Sequence, residues 1–106
     1  MSDAVLILST AASPEEASRI ADALVADGLA ACVQMAAVQS CYRWQGAIEH
    51  AQEIRLEIKT TADRAEAAAA RLRALHSYDV PEILIVPILG GSADYLAWIA
   101  ASVEQT

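Results

Sequence analysis

The sequence lacks phenylalanine, and aromatic residues make up only 5% of the chain. Proteins that bind single-stranded nucleic acids usually present several aromatic side chains on which bases stack, so this composition argues against that class. Basic residues are also scarce, since 7 Lys and Arg stand against 14 Asp and Glu, for a net charge of −7. Because such a chain repels a phosphate backbone, we predict no nucleic-acid partner.

Long apolar runs are absent as well. No stretch approaches the ~20 residues of a membrane-spanning helix, and no basic segment followed by an apolar run marks a secretory leader. The only cysteines are Cys32 and Cys41. On a shared extended strand they would lie about 30 Å apart, too far to form a disulfide with each other. Reduced thiols fit a reducing compartment, so we predict a cytoplasmic location without membrane insertion.

The length of 106 residues predicts a single domain spanning 1–106. The first elements have clear signals. The apolar run from Val5 to Leu8 predicts a buried strand. Ser13-Pro14-Glu15-Glu16 has the N-cap, first-turn proline and capping-box glutamate of a helix start, and Gly28 is placed to end that helix.

Two extended segments follow and predict a long hairpin. The segment 30–44 changes the parity of its apolar residues near Ala36-Ala37, which predicts a bulge or bend. Gln45-Gly46-Ala47 predicts a turn. The segment 53–59 alternates strictly, with Ile54, Leu56 and Ile58 directed to the core.

The remaining segments complete the pattern. Thr61 is expected to cap a second helix, and Pro81 prevents that helix from continuing into the fourth, buried strand at 83–86. Ser92 is expected to cap a last helix. The order βαββαβ plus a terminal helix predicts an α+β, ferredoxin-like fold with a four-stranded antiparallel sheet and a long β2–β3 hairpin.

The loop 76–82 gathers the most chemistry, with an imidazole, a phenol and two carboxylates. Such a loop is equally typical of a binding site and of a polar segment that caps a sheet edge. No serine or cysteine has a visible activating base, and no glycine-rich phosphate loop is present. Together with the family resemblance described below, these observations predict that the protein is not an enzyme.

Metal ligation is a further hypothesis for this loop. His76, Asp79 and Glu82 offer one or two ligands, whereas a closed transition-metal site needs about four. A complete site within one subunit is therefore not expected, and ligands would have to converge from several subunits. Apolar and aromatic residues on the hairpin, such as Met35 and Trp44, favour self-association.

Five motifs extend over nearly the whole chain in a family-specific order, and on them the sequence resembles the CutA family of divalent-cation tolerance proteins. The motifs are Ala31-Cys32-Val33, Tyr42-Arg43-Trp44-Gln45-Gly46-Ala47-Ile48, Ile58-Lys59-Thr60-Thr61, His76-Ser77-Tyr78-Asp79-Val80-Pro81-Glu82 and Asp94-Tyr95-Leu96-Ala97-Trp98.

The resemblance implies a ferredoxin-like fold, a tight homotrimer whose long hairpins pair across subunit boundaries, and an architecture similar to PII signal proteins. It also implies a link to metal tolerance, with no resident cofactor and with Cu2+ or another divalent cation as the metal ligand. The family positions expected to cluster at the clefts between subunits are Tyr42, Trp44, Lys59, His76, Tyr78, Pro81, Glu82 and Trp98.

This chain departs from the family pattern at three positions. Ser77 replaces a frequent proline, and Ser9 and Leu75 stand where some members carry a cysteine and a histidine. His76 is therefore the only metal ligand carried over. Two alternatives accompany this reading: a PII-like signalling module that binds a small effector and a target protein, and a small hydrolase or acyl-phosphate enzyme on the same fold. The second would need a basic anion-binding loop after the first strand, where residues 9–13 contain no basic side chain.

Overall fold

The computed structural model describes residues 3–104. Three helices and four strands follow one another in the predicted order: β1 (Ala4–Ala11), α1 (Pro14–Ala26), β2 (Cys32–Trp44), β3 (Ala47–Thr61), α2 (Ala62–Leu75), β4 (Leu84–Pro87) and α3 (Ala93–Ser102). The strands form one sheet in the order β2-β3-β1-β4, and every neighbouring pair is antiparallel. This topology confirms the predicted ferredoxin-like fold with its additional C-terminal helix.

Helix α1 begins and ends as the sequence predicts. The Ser13 hydroxyl accepts a hydrogen bond from the Glu16 N–H at 3.1 Å, and Pro14 occupies the first turn. At the other end Gly28 has a φ of +69°. The N–H groups of Gly28 and Leu29 bond to the carbonyls of Val25 and Leu24, which satisfies the exposed carbonyls of the last turn.

The core lies between one face of the sheet, which we call the inner face, and helices α1 and α2. Strand β1 and residues 54–61 of β3 contribute buried side chains to this core, because strand alternation directs every second residue to the inner face. The largest core residues are Ile7, Ile20, Leu24, Leu56, Ile58 and Leu72. Ile54 packs at the core margin, whereas Val25 of α1, at a helical spacing that predicts packing, is exposed.

The β2–β3 hairpin is regular along its whole length. Its register runs without interruption from the pair Cys32↔Lys59 to the pair Trp44↔Ala47. The predicted bulge near Ala36-Ala37 is therefore wrong. Gln45 and Gly46 close the hairpin with φ values of +49° and +82°, the geometry of a two-residue type I′ turn.

The outer end of the hairpin, residues 41–50, is exposed throughout, and we call it the hairpin arm. Both cysteines lie on β2 as free thiols, Cys32 half-buried and Cys41 exposed. The exposure of Cys41 agrees with that of the rest of the hairpin arm.

Helix α3 packs on the opposite face of the sheet, which we call the second face. Lys59 is on this face because its strand neighbour Ile58 is in the core, and it donates a hydrogen bond to Tyr95 of α3 at 3.1 Å. The Nε of Arg64 donates to the Val103 carbonyl at 2.8 Å, which ties the end of α3 to α2. At this end of the sheet, helices therefore pack on both faces.

Strand β4 differs from its sequence-based prediction in burial. It lies at the sheet edge beside β1, and Leu84 remains 53% exposed. The prediction of a buried fourth strand is wrong for the single chain, because Leu84, Ile85 and Val86 are all exposed.

None of the helices within residues 3–104 combines the length and apolar character required to cross a membrane.

Candidate functional site

A cavity of about 590 Å³ opens on the second face, between the base of the hairpin arm and the loop 76–82. Its wall combines aromatic, carboxylate and small polar side chains. The lining residues are Thr10, Ser40, Cys41, Tyr42, Trp44, Glu53, Tyr78, Asp79, Val80 and Glu82. This volume is within the usual range of small-molecule sites.

Strand alternation explains how residues from distant segments reach this cavity. On β2, Ser40, Tyr42 and Trp44 follow one another at a period of two and therefore share a face. Thr10 and Glu53 lie on the same face, because their neighbours Ala11 and Ile54 pair with each other toward the core. The loop after α2 then closes the cavity from the opposite side.

His76 holds that loop in place from behind the cavity wall. Its ring is fully buried, with Nε2 2.6 Å from the carbonyl oxygen of Thr10 and Nδ1 3.0 Å from the Tyr78 N–H. Because an N–H group can only donate, Nδ1 accepts and Nε2 carries the proton that is donated to Thr10. The hydrogen bonds thus assign a single neutral tautomer to His76.

Glu16 joins the same loop to the start of α1. One carboxylate oxygen accepts the Ala12 N–H at 3.1 Å and the other accepts the Ser77 N–H at 2.8 Å. Burial by itself raises the pKa of Glu16, but the hydrogen bonds from Ser77 and Ala12 outweigh it and lower the pKa of Glu16. The predicted capping-box residue therefore also anchors a segment far away in sequence.

Tyr78 connects the loop to the hairpin. Its hydroxyl donates to Glu53 Oε2 at 2.7 Å, and its ring packs 4.7 Å from the imidazole of His76. Burial and the hydrogen bond to the Glu53 carboxylate raise the pKa of Tyr78 well above its ordinary value of 10.0. Tyr78 therefore remains a neutral hydrogen-bond donor at the cavity wall.

A second cluster lies where α3 crosses β3. Lys59 Nζ sits 5.2 Å from the centroid of the Tyr95 ring, and the Tyr95 and Trp98 rings are 5.4 Å apart. The hydrogen bond to the Tyr95 hydroxyl raises the pKa of Lys59. On the paired strands β1 and β3, Lys59 lies several residues away from Thr10, which lines the cavity. This cluster is therefore separate from the cavity.

The predicted cleft positions are therefore divided within one chain. Tyr42, Trp44, Tyr78 and Glu82 line the cavity, and His76 supports it from behind. The predicted positions Lys59 and Trp98 belong instead to the cluster on α3.

Sequence reasoning missed Glu53 as a cavity residue. It is buried, and it accepts the Tyr78 hydrogen bond. In sequence Glu53 is only one polar residue in an alternating strand, with no signal that distinguishes it from Glu57. Its burial arises from the loop that folds over it.

A metal site is not formed by the described part of the chain. Within residues 3–104 no three His, Cys, Asp or Glu side chains are grouped so as to hold a metal ion. His76 already uses both ring nitrogens, so ligation through it would require the loss of its bond to Thr10 or to Tyr78. Its role as a metal ligand stays a prediction.

The strand order, the two crossover helices and the long hairpin place this chain in the class of ferredoxin-like α+β domains. Within that class, the profile of the family described as "CutA1 divalent ion tolerance protein" matches residues 5–102. The chain belongs to this family. The resemblance seen in the sequence motifs is thereby confirmed.

Individual relatives support the same assignment. The divalent-cation tolerance protein CutA of Pectobacterium atrosepticum is 40% identical over 103 residues, which cover 96% of this chain and 94% of that protein. The one from Thermus thermophilus is 45% identical over 95 residues, covering 89% and 92%. The crystal structure of CutA from Xylella fastidiosa superposes with a TM-score of 0.95 at 45% identity, covering 97% and 100%.

These relatives carry divalent-cation tolerance names rather than enzymatic ones, and the family is not known for enzymes, in agreement with the prediction. The predicted cytoplasmic location is contradicted. A structure from Archaeoglobus fulgidus, with a TM-score of 0.93, 39% identity and coverage of 95% and 99%, is described as a periplasmic divalent cation tolerance protein. Reduced cysteines and the absence of a leader pattern were insufficient grounds for assigning a compartment.

Proposed function

We propose that this divalent-cation tolerance protein assembles as a homotrimer and binds a metal ion such as copper, or a small ligand, at clefts between its subunits. The observation that carries the proposal is the open cavity, because its walls continue onto the exposed apolar surface of the hairpin arm. A second subunit placed against the arm would complete the cavity as a cleft.

Exposed apolar side chains support the assembly. Ile48 on the hairpin arm is 62% exposed, and further large apolar residues are exposed on β4 and α3. Patches of this kind on a small domain mark interaction sites. The strands β2 and β4 also present open edges, which are available for pairing with another chain.

The division of the predicted cleft residues also supports it. The cavity holds Tyr42, Trp44, Tyr78 and Glu82, whereas Lys59 and Trp98 lie at the α3 cluster of the same chain. A cleft between subunits would unite the cavity of one subunit with the α3 cluster of the next. This arrangement accounts for why the family positions are separate in one subunit.

The assembly is tested by light scattering at low micromolar concentration, where the mass of a trimer is expected. Ile48→Asp should dissociate it, because the substitution places a charge at the exposed arm. Val25→Asp is the matched control, since Val25 is an exposed apolar residue on α1 outside the proposed contact. A monomer mass for the unmodified protein, or equal loss of assembly in the two variants, would contradict the proposal.

Metal binding is tested by a competitive Cu2+ titration of the unmodified protein, His76→Ala and the control His50→Ala. We expect weak binding that decreases on acidification, because a protonated imidazole cannot ligate a metal. Loss of Cu2+ binding in His76→Ala but not in His50→Ala supports ligation by His76. Tight binding that survives this substitution would place the metal elsewhere.

The PII-like alternative predicts nucleotide binding. No Lys or Arg lines the cavity to meet a phosphate, so its charge pattern opposes that ligand. A calorimetric titration with ATP is expected to give no binding heat, and saturable binding would favour the alternative.

A further inference from the structure

The cavity on the second face has a distinctive chemical composition. Tyr42, Trp44 and Tyr78 supply three aromatic rings, and three carboxylates come from Glu53, Asp79 and Glu82. Within a single chain, none of its lining residues is Lys, Arg or His. Aromatic faces and carboxylates both carry negative potential, so every charged or aromatic group in this wall attracts a cation.

Glu53 is the central anionic group of this wall. It is only 8% exposed, and its Oε2 accepts the Tyr78 hydroxyl at 2.7 Å, which leaves the other oxygen for a ligand. A buried carboxylate with one polar partner gains from a second, positively charged one. Because the raised pKa of Tyr78 keeps its phenol neutral, this ring acts as a donor to Glu53 and as an uncharged face for the ligand.

The aromatic rings determine which kind of cation fits. A divalent metal ion requires several donor atoms that converge on one point, whereas the described residues offer no such group. A diffuse organic cation instead makes its contacts with ring faces and with carboxylates spread around a wider space. The cavity volume of about 590 Å³ also suits a molecule rather than a bare ion.

We propose that this cavity binds a small organic ammonium ion, with the cationic group against the Trp44 and Tyr42 rings and its charge balanced by Glu53. The inference deepens the proposed function, since it rests on the cavity being a ligand site and adds the class of ligand. Its basis is the aromatic and acidic wall, which is independent of whether His76 binds a metal.

The test is a calorimetric titration of the full-length protein, in whatever assembly it adopts, with choline and with 3,3-dimethyl-1-butanol. The second molecule is the neutral isostere of the first, with carbon in place of the quaternary nitrogen. We expect choline to bind at least about tenfold more tightly, on the scale of a desolvated cation–π contact. Equal affinities for choline and its neutral isostere would overturn the proposal. So would the absence of saturable binding of both choline and putrescine, the second ammonium probe described next.

A parallel titration with putrescine identifies the kind of ammonium. A quaternary ion relies on ring faces, whereas a primary ammonium also donates hydrogen bonds to carboxylates such as Glu53 and Glu82. Tighter binding of choline supports the aromatic wall as the main determinant, and tighter binding of putrescine supports the carboxylates. Both results support an organic ammonium ligand.

Matched variants locate the binding. Trp44→Leu and Glu53→Gln should each weaken the binding of the better ammonium probe by about tenfold. Val25→Ala removes an exposed apolar side chain from α1, and Glu66→Gln removes a carboxylate from the exposed side of α2; both should leave affinity unchanged. Equal weakening in a variant and its control would overturn the assignment to this cavity.

Two further measurements keep the result interpretable. Because Glu53 is buried, Glu82→Gln at the exposed rim serves as a second charge variant if Glu53→Gln fails to fold, as judged by circular dichroism. Lys59→Met tests whether Lys59 of a neighbouring subunit in the proposed trimer occupies the cavity. Ammonium binding that occurs only in Lys59→Met would overturn the proposal, since the site would then serve an internal contact.

The outcome is separable from that of the proposed function. A trimer that binds copper but no ammonium ion would leave the proposed function intact and remove this inference. Ammonium binding by a protein that is not a trimer would support this inference and remove the proposed trimer.

Discussion

The two halves of β3 have the same alternating pattern but different surroundings. In the inner half, residues 54–61, Leu56 and Ile58 are fully buried beneath α1 and α2. In the outer half, residues 47–53, Ile48 is largely exposed although it lies on the same face. The strand register is continuous across both halves, so the difference comes from the helices that cover only one of them.

This difference shows that hydrophobic pattern and burial are separable in this molecule. The inner half is stabilised by side chains of its own chain. The outer half has cross-strand pairs, but few side chains from other elements pack on it. Exposed apolar surface of this kind is typical of an interaction site. The cavity lies at the boundary between the halves, where Glu53 is the last outer residue and is covered by the loop 76–82.

The sharpest test of the comparison is a pair of truncations on β3. Leu56→Ala should lower the free energy of unfolding by about 2–5 kcal/mol, because it leaves a cavity in the core. Ile48→Ala should cost less, since its own chain provides few neighbours to lose. Urea unfolding at one fixed protein concentration measures both. Equal losses would show that the two halves are equally buried in the assembled protein.

Glu16→Ala should have the next largest effect. It leaves the N–H groups of Ala12 and Ser77 without their acceptor, at about 2–3 kcal/mol. The exposed neighbour Glu15 provides the control Glu15→Ala, for which little change is expected. Denaturant unfolding of the two variants gives the difference, and equal stability would show that the link to the loop contributes nothing.

The same residue predicts a pH dependence. Because folding lowers the pKa of Glu16, its contribution is fully present above the ordinary value of 4.5 and is lost as the pH falls through the lowered folded-state pKa. The stability difference between the unmodified protein and Glu16→Ala should therefore shrink in acid. A difference that grows below pH 4.5 would contradict this sign.

Tyr78→Phe probes the boundary between the two halves. It removes the phenol that donates to the buried Glu53 and should cost about 1–2 kcal/mol. Tyr95→Phe is the matched control, since it breaks an exposed hydrogen bond to Lys59 and should cost less than about 0.5 kcal/mol. Thermal unfolding of the two variants measures which one loses more stability. A larger loss in Tyr95→Phe would show that the hydrogen bond at α3 contributes more than the one between Tyr78 and Glu53.

Two glycines with positive φ give the smallest expected effect. Gly28→Ala should cost about 1 kcal/mol of global stability, because the φ of +69° strains an alanine although nothing blocks its Cβ. Gly46→Ala introduces similar strain at the tip of the hairpin arm. Its effect should instead be faster amide exchange in the arm, with the inner half of β3 unchanged. Equal exchange in both halves would show that the arm unfolds together with the core.

The sequence predicts the elements whose determinants are local. Ser13 and Gly28 define the ends of α1 through hydrogen bonds to nearby residues, and Ile54, Leu56 and Ile58 show their burial through alternation. The Gln45-Gly46 turn is equally local, since its two residues adopt positive φ. The order of these elements was enough to predict the fold.

Features that depend on distant contacts were not predictable in this way. A change in apolar parity near Ala36 predicts a bulge, but the exposed part of the hairpin has no buried face that imposes parity. Strand β4 is apolar and yet exposed in the single chain, and its composition alone does not indicate which elements pack against it. The contact of Glu16 with Ser77 joins two loops far apart in sequence.

The sheet order also has a consequence for how the chain folds. Strand β1 is the first to be synthesised, yet it pairs with β3 and, after α2, with the C-terminal β4. Its apolar segment Val5-Leu6-Ile7-Leu8 must therefore wait for most of the chain before its neighbours exist. Such non-local pairing slows folding and prolongs exposure of an aggregation-prone segment. Rapid formation of the β2–β3 hairpin, whose strands are adjacent in sequence, would give β1 its first template.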